Sequence, residues 1–353
     1  MRKIGQTAWW AEKSRILLSM KARRPTELEI IAKIRRAAGR GGTVRGIRVG
    51  IGDDCAVLRV PRGHEVLVTT DLSLEGRHFR REWHPARAVG HRALARGLSD
   101  LAAMGAKPLA AFLSLALPGE LAGSAWQREF MEGLLALAKA SGVRLAGGDT
   151  AEFAGGVIAD IVLTGSAPAG TALLRSGARV GDAIYVTGGL GGAAAELCAA
   201  RTVDGFAWLR GSGDENRGHP DLNLHPHLYP QPRLAVGEAL RRRGLATACI
   251  DVSDGISTDL AHLCAESGCG AVIEAASLPV HALAASRRDA MQLALHGGED
   301  YELLFTARKP MPRTIAGVKV TRIGTVVKGR GVKIVVDGKT RKLEAKGWEH
   351  FAR

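Results

Sequence analysis

Glu65-Val66-Leu67-Val68-Thr69-Thr70-Asp71 is a β-branched, apolar run that closes on two hydroxyls and a carboxylate. Such a run reads as a strand. Polar side chains at its end sit where strand-to-helix connections converge on a site rather than where a core is buried. The pattern repeats outward. Upstream, Val49-Gly50-Ile51-Gly52 leads into Asp53-Asp54 and a short strand over 56–60. Before it, residues 26–38 have helical spacing, with Thr26 as N-cap and Glu29 three positions later. Downstream, 86–104 reads as a helix carrying Ser99-Asp100, with Gly105 at its C-terminal end. A strand over 109–117, an amphipathic helix over 125–140, and a strand over 143–146 entering Gly147-Gly148-Asp149-Thr150 follow. A strand over 157–164 closes the series. This alternation predicts an α/β domain of about 120 residues.

A second unit begins after a connection over 168–181, with a strand over 183–187, a glycine loop and an Ala-rich helix. Residues 203–228 read as a polar surface loop. A helix over 232–243, a strand over 246–252, a helix over 256–267, and strands over 301–306 and 320–327 come next, then a hairpin over 332–341 on Asp337-Gly338. The expected division is a basic extension over 1–24, an N-terminal domain over 25–167 and a C-terminal domain over 168–353, in an α/β (α+β) class.

The net charge of +14 is concentrated at the ends: residues 1–49 carry 13 Lys/Arg against 3 Asp/Glu, and residues 308–353 carry the same numbers. The motif-bearing middle is therefore net negative, so the basic ends read as solvated blocks rather than a nucleic-acid surface. The five cysteines form no CxxC pair, which suits a reducing cytoplasm. No apolar run is long enough to span a bilayer, and the N-terminus has no signal-like apolar segment.

Seven aspartates fall in five short motifs, the last being Asp251-Val252-Ser253-Asp254. At an effective dielectric of ~20, two carboxylates ~5 Å apart repel by roughly 3 kcal/mol. An oxygen-only set of this kind favours Mg2+, and Mg2+ held by few carboxylates is completed by substrate phosphates, which points to ATP chemistry. Singly, each motif has an ordinary structural alternative. Asp254 before Gly255 could cap a helix, Asp100 could pair with Arg96 or Arg92 on its own helix, and Glu299-Asp300 could be turn residues. Two further motifs are decoys. Gly338-Lys339-Thr340 ends like a P-loop but lacks the earlier glycine and a following helix. Gly189-Leu190-Gly191-Gly192-Ala193-Ala194 satisfies a dinucleotide pattern without the acidic residue at the required distance. It reads as a tight turn whose amides could attract a phosphate.

In order and spacing, several segments together resemble the thiamine-monophosphate kinase family, within a superfamily that includes aminoimidazole ribonucleotide synthetase and selenophosphate synthetase. They are Gly50 to Leu58, Thr69 to Phe79 with His78, Leu98 to Ala106, Gly147 to Thr150, Leu174-Arg175-Ser176-Gly177-Ala178, Asp251 to Gly255, Gly297-Gly298-Glu299-Asp300-Tyr301-Glu302-Leu303 and Gly347-Trp348-Glu349-His350-Phe351. The resemblance spans roughly residues 25–351. It implies an N-terminal mixed sheet with helices on one face, a C-terminal α/β domain, and a homodimer whose N-terminal domains pair into a barrel-like interface.

The resemblance also assigns roles. Asp54, Thr69, Thr70, Asp71, Asp100, Asp149, Asp251 and Asp254 would bind Mg2+. Gly148, Asp149, Arg175 and Ser253 would contact ATP, and His78, Glu299 and Trp348 the thiamine substrate. Met131 stands where the family pattern has Tyr, which leaves the adenine contact there open. A phosphate-monoester acceptor has a second pKa of ~6 and needs no general base, so direct in-line transfer is expected. Without the resemblance, Trp348 could simply cover the core and Arg175 could be a solvated loop charge. The rival readings are another ATP-dependent enzyme of the superfamily (selenophosphate synthetase or hydrogenase-maturation type) and a basic nucleic-acid-binding protein. The first two would want a reactive N-terminal or C-terminal cysteine, and the third leaves the carboxylates unexplained.

Overall fold

The computed structural model describes residues 26–38, 46–49, 51, 55–202 and 225–348. Helix α1 (Glu27–Ala37) starts on Thr26, whose Oγ1 accepts from the Glu29 amide while Glu29 Oε2 accepts from the Thr26 amide at 2.8 Å. This is the capping box the spacing predicts. Strands β1 (Ile47–Val49) and β2 (Val57–Leu58) form a small antiparallel ladder.

The first unit contains β3 (His64–Leu74), α2 (Ala86–Ala103), β4 (Lys107–Leu117), α3 (Ala125–Ala140), β5 (Leu145–Glu152) and β6 (Ile158–Pro168). Its sheet runs β3-β6-β4-β5, with only β4 and β5 parallel. Helices α2 and α3 cover one face and bury Leu94, Leu98, Phe130 and Leu134 against Leu113, Ile161 and Leu163. The two helices approach closely because glycines occupy their crossing. A Cβ on Gly90 would collide with the Phe130 carbonyl, and one on Gly133 with that of Arg87.

Two strands are longer than their apolar runs. Strand β3 continues through Leu72-Ser73-Leu74, so Asp71 lies inside it, opposite Ile161 of β6, rather than at its end. Strand β5 extends through Gly148-Asp149, opposite Leu113 and Ser114 of β4. Alternation along β3 turns Leu67, Thr69, Asp71 and Ser73 to the helix side. It leaves Val66, Val68 and Leu72, at 48%, 63% and 48% exposure, on the other face with Thr70.

The second unit contains β7 (Ala183–Thr187), α4 (Gly192–Thr202), α5 (Leu234–Arg242), β8 (Ala248–Asp251), α6 (Ile256–Ser267), β9 (Gly270–Glu274), α7 (Ala282–Ala285), α8 (Ala290–His296), β10 (Leu303–Ala307), β11 (Thr314–Ile315), β12 (Val318–Val327), β13 (Gly331–Val336) and β14 (Lys339–Leu343). Seven strands run β14-β13-β9-β12-β7-β10-β8, and β11 pairs with β12. The hairpin β13–β14 turns on Asp337 and Gly338 with φ of 50° and 72°, as the Asp-Gly pair predicts. Strand β9 is an addition to the sequence reading. It is short and follows α6 after only two residues, so its apolar run blends into the helix pattern.

The expected loop over 203–228 lies outside the described residues up to 224. His225, His227 and Leu228 are buried rather than at the surface. A hydrophobic cluster holding Ala102 and Ala103 of α2 with Val236, Leu240 and Phe305 joins the two units. No helix among the described residues is long and apolar enough to cross a membrane.

Candidate active site

A cavity of about 760 Å³ opens where the units meet. Strand β3 contributes Asp71, α2 contributes Arg96 and Asp100, the end of β8 contributes Asp251, and the connection from β8 to α6 contributes Ser253 and Asp254. His78, Glu299 and Trp348 complete its wall. Residues spread from the first to the last third of the chain therefore face one space.

Hydroxyls orient two of the carboxylates. Thr69 Oγ1 donates to Asp100 Oδ2 at 2.5 Å, and Ser99 Oγ donates to Asp251 Oδ2 at 2.6 Å. Arg96 Nη2 lies 2.7 Å from Asp71 Oδ1. Burial raises the pKa of Asp71, against the pull of Arg96, and that of Asp100, against the Thr69 bond. Asp251 is pushed up to about 7, by burial first and then by the Asp100 charge. These are carboxylates short of compensating positive charge.

Glu299 is held differently. Arg92, itself buried, donates to Glu299 Oε1 at 2.5 Å, to the His78 carbonyl at 3.2 Å and to the His227 carbonyl. His227 Nδ1 lies 3.1 Å from Glu299 Oε2. His227 Nε2 meets His84 Nε2 at 3.0 Å. Burial alone would raise the Glu299 pKa, but Arg92 and then His227 hold it well below the usual carboxylate range.

The backbone here is unusual. Glu299 and Tyr301 have φ of 68° and 51°, in the left-handed region that non-glycine residues seldom enter. Between them Asp300 accepts from the amides of Gly191 at 2.7 Å and Ala193 at 3.2 Å. The amides of the Gly189–Ala194 turn, open to a phosphate in the sequence reading, are thus engaged by a carboxylate. Glu302, next in line, accepts from Thr187 Oγ1 and takes two bonds from Arg233.

A second cavity of about 540 Å³ lies under α1, between Ile31, Ile34, Phe112 and the Gly148-Asp149 pair. The expected site residues are therefore divided. Thr69, Asp71, His78, Asp100, Asp251, Ser253, Asp254, Glu299 and Trp348 gather at the first cavity, and Gly148 and Asp149 at the second. Strands β3 and β5 are opposite edges of one sheet, three spacings or ~14 Å apart. Thr70 points to the face away from Asp71. Arg175 is exposed and lines neither cavity, although its charge lowers the pKa of Asp100 and Asp251. Asp54 lies outside the described residues. Met131 is buried in the core of the first unit.

Two structural alternatives are corrected. Asp100 bonds Thr69 instead of pairing with the arginines on its helix, which reach out to Asp71 and Glu299. Gly255, not Asp254, is the N-cap of α6, and Asp259 accepts from the amides of both residues.

Oxygen donors alone line the acidic wall, which fits a hard divalent cation such as Mg2+. Arg96 on Asp71 already shows that the wall draws a cation. Among the described residues no group of three or more His, Cys, Asp or Glu side chains closes around one point. Sequence reasoning missed His84, His227 and the roles of Arg92 and Arg96. The spacing of four that places Arg92, Arg96 and Asp100 on one helix face was available, as was the His225-Pro226-His227 sequence.

Residues 52–167 match the N-terminal domain, and residues 179–337 the C-terminal domain, of AIR synthase related protein. Fold and site thus define a two-domain enzyme of this class. The chain is 40% identical over 316 residues to thiamine-monophosphate kinase of Salmonella typhimurium, covering 87% of this chain and 93% of that one. Among solved structures, thiamine-monophosphate kinase from Stenotrophomonas maltophilia K279a superposes with a TM-score of 0.69 at 34% identity, over 88% of this chain and 96% of that one. AaThiL complexed with AMPPCP and TMP gives 0.69 at 30%, over 92% and 97%. The chain belongs to the thiamine-monophosphate kinase family.

Proposed function

We propose that this chain transfers the terminal phosphoryl group of ATP to thiamine monophosphate, giving thiamine diphosphate. The observation that carries the reading is the single cavity onto which Asp71, Asp100, Asp251 and Asp254 converge beside Glu299 and Trp348, in a family one of whose members is AaThiL complexed with AMPPCP and TMP. The acceptor phosphate is largely dianionic at neutral pH, so no side chain need remove a proton. The obstacle is the approach of two anions along one line.

Asp71, Asp100, Asp251 and Asp254 would hold Mg2+ at the first cavity, with Asp54 and Thr69 in the same expected set, and Asp149 would hold an ion beside the second; Thr70, on the opposite face of β3, departs from that set. When bound, Mg2+ neutralises the phosphates and aligns the transfer. Thr69 and Ser99 fix the carboxylate orientations in advance, and burial at the interface of the units limits water. Gly148, Asp149, Arg175 and Ser253 would contact ATP, with the apolar second cavity beside Gly148 suited to the nucleobase. His78, Glu299 and Trp348 would hold the thiamine. Glu299, kept ionised, complements a cationic thiazolium, and the half-exposed Trp348 ring adds ~0.5–2 kcal/mol of cation–π contact.

The same reading includes a homodimer. The exposed Val66, Val68 and Leu72 on β3 are the apolar surface it would cover, and Thr70 shares that face. It also includes a domain boundary at 167–168 and a cytoplasmic location, which the five free cysteines suit.

The test is incubation of the purified protein with ATP, Mg2+ and thiamine monophosphate, with free thiamine and aminoimidazole-pathway substrates as controls. Formation of thiamine diphosphate is expected. Turnover of free thiamine but not of its monophosphate would overturn the substrate assignment.

A further inference from the structure

Arg92, Arg96 and Asp100 recur at intervals of four, so all three leave one face of α2. The two arginines are held in opposite ways. Arg92 is locked by the carbonyls of His78 and His227 and by Glu299. Arg96 has one ion pair, to Asp71, and its buried Nε–H meets no acceptor. A guanidinium presents five donors in a fixed fork. One that leaves a buried donor orphaned is not held by a fully fitted pocket, although Tyr301 and Glu299 also face Arg96 electrostatically. Arg96 also lines the cavity together with Asp71, Asp100 and Glu299. Asp71 is thus claimed twice, by the guanidinium in this structure and by Mg2+ under the proposed function.

We infer that Arg96 is an exchangeable cation and an acceptor-phosphate ligand. It holds Asp71 while no divalent ion is bound. When a divalent ion takes that carboxylate, Arg96 turns its fork onto the phosphate of the acceptor substrate. Two cations on one carboxylate repel at close range, so arrival of the ion weakens the Arg96 pair and favours its release. A phosphate matches the planar fork through two parallel bonds and supplies the acceptor that Nε–H lacks. Exchange of this kind couples metal loading to assembly of the acceptor site. The inference rests on the proposed function both for the divalent ion at Asp71 and for the identity of the phosphate, and the Mn2+ titration tests the first apart from the second.

The experiment compares Arg96→Met and Arg96→Lys with the unaltered protein, after thermal melts and gel filtration establish that each is folded. Mn2+ binding is first titrated calorimetrically without nucleotide or acceptor. Arg96→Met should bind Mn2+ at least fivefold more tightly, and Arg96→Lys should fall between. Arg77→Met, which removes a cavity cation outside the Asp71 pair, should change Mn2+ affinity less than twofold. Steady-state kinetics should then show the KM for thiamine monophosphate raised at least tenfold in Arg96→Met, with the KM for ATP within twofold. Mn2+ affinity unchanged or weaker in Arg96→Met overturns the exchange, and so does an equal gain in Arg77→Met. Tighter Mn2+ binding with an unchanged acceptor KM overturns the phosphate-ligand role. If Mn2+ binds more tightly but the unaltered protein does not use thiamine monophosphate, the exchange stands and the substrate assignment fails.

Discussion

Ser99 and Asp251 lie 152 residues apart and join the two units through one bond, Ser99 Oγ to Asp251 Oδ2 at 2.6 Å. Helix α2 thereby orients a carboxylate at the end of β8. A hydrogen bond to a charged group contributes about 1.5–3 kcal/mol. Ser99→Ala should lower turnover roughly 10- to 100-fold and also lower the melting temperature, because a buried bond is lost. Unchanged kcat in Ser99→Ala would remove any positioning role for this hydroxyl.

Buried Arg92 pairs with partly buried Glu299 across the same boundary. Removing one member leaves the other uncompensated, at a cost of about 3–5 kcal/mol. Arg92→Met should therefore shift the urea midpoint down strongly, and Arg92→Met/Glu299→Gln should regain part of the loss. A double variant no more stable than Arg92→Met would count against coupling of the pair.

Burial lowers the pKa of His84 to about 3 and of His91 to about 4, and lowers that of His227 as well. The folded state therefore binds fewer protons than the unfolded chain, whose histidines titrate near 6.5. Their stabilisation is full above about pH 6.5 and is lost as pH falls toward those depressed values, by up to ~1.4 kcal/mol per pH unit for each histidine. Asp251 and Asp300, each pushed up to about 7 chiefly by burial, act oppositely over the same range, so the histidine share is read as the difference in slope between parent and variant in urea unfolding at pH 7.5 and pH 5. His91→Gln can still donate to the Pro230 carbonyl that His91 Nε2 meets at 2.8 Å and should flatten the slope by about one proton. An unchanged slope would exclude His91 from the effect.

At the crossing of α2 and α3, Gly90 and Gly133 each face a carbonyl of the other helix. Overpacking of this kind costs about 1–3 kcal/mol. Gly133→Ala should lower the melting temperature, and Gly90→Ala/Gly133→Ala should cost less than the sum of the single changes, because one separation of the helices relieves both collisions. Strict additivity would mean that the collisions are independent.

The proposed pairing of two copies makes a prediction about Val68. Val68→Lys puts a charge on the exposed apolar face of β3 and should shift the gel-filtration mass from dimer to monomer at micromolar concentration. A dimeric Val68→Lys protein would place the contact elsewhere.

Much of this arrangement could be read from the chain. Helix α6 and strand β7 begin and end at the predicted residues because glycine and polar neighbours stop them sharply. The extents of β3 and β5 could not be read in that way. An aspartate or a Gly-Gly pair within a run signals an end to any pattern based on apolarity, yet here each continues a ladder because its side chain faces open space or its backbone packs tightly. A Cβ on Gly148, at φ 144°, would collide with the Leu113 carbonyl. Most carboxylates at the first cavity were legible because they sit beside a glycine or a hydroxyl in sequence, and Asp251 because it ends an apolar run before Ser253. Their counter-charges were not. Arg92 and Glu299 lie 207 residues apart, and helical spacing alone pointed Arg92 toward Asp100. His227 was hidden for the same reason, since what buries it is contributed by α2 and by the strained turn at Glu299.

The two-sided character of β3 constrains how this protein can change. Asp71 and Leu72 are neighbours that serve opposite surfaces. Inserting or deleting one residue between Glu65 and Ser73 would exchange those surfaces over the rest of the strand. An acidic side chain would move to the apolar exterior, and a leucine would enter the chamber. Point substitutions can adjust either surface alone, but a length change would damage both together, so natural variation in this segment should consist of replacements and almost never of gaps.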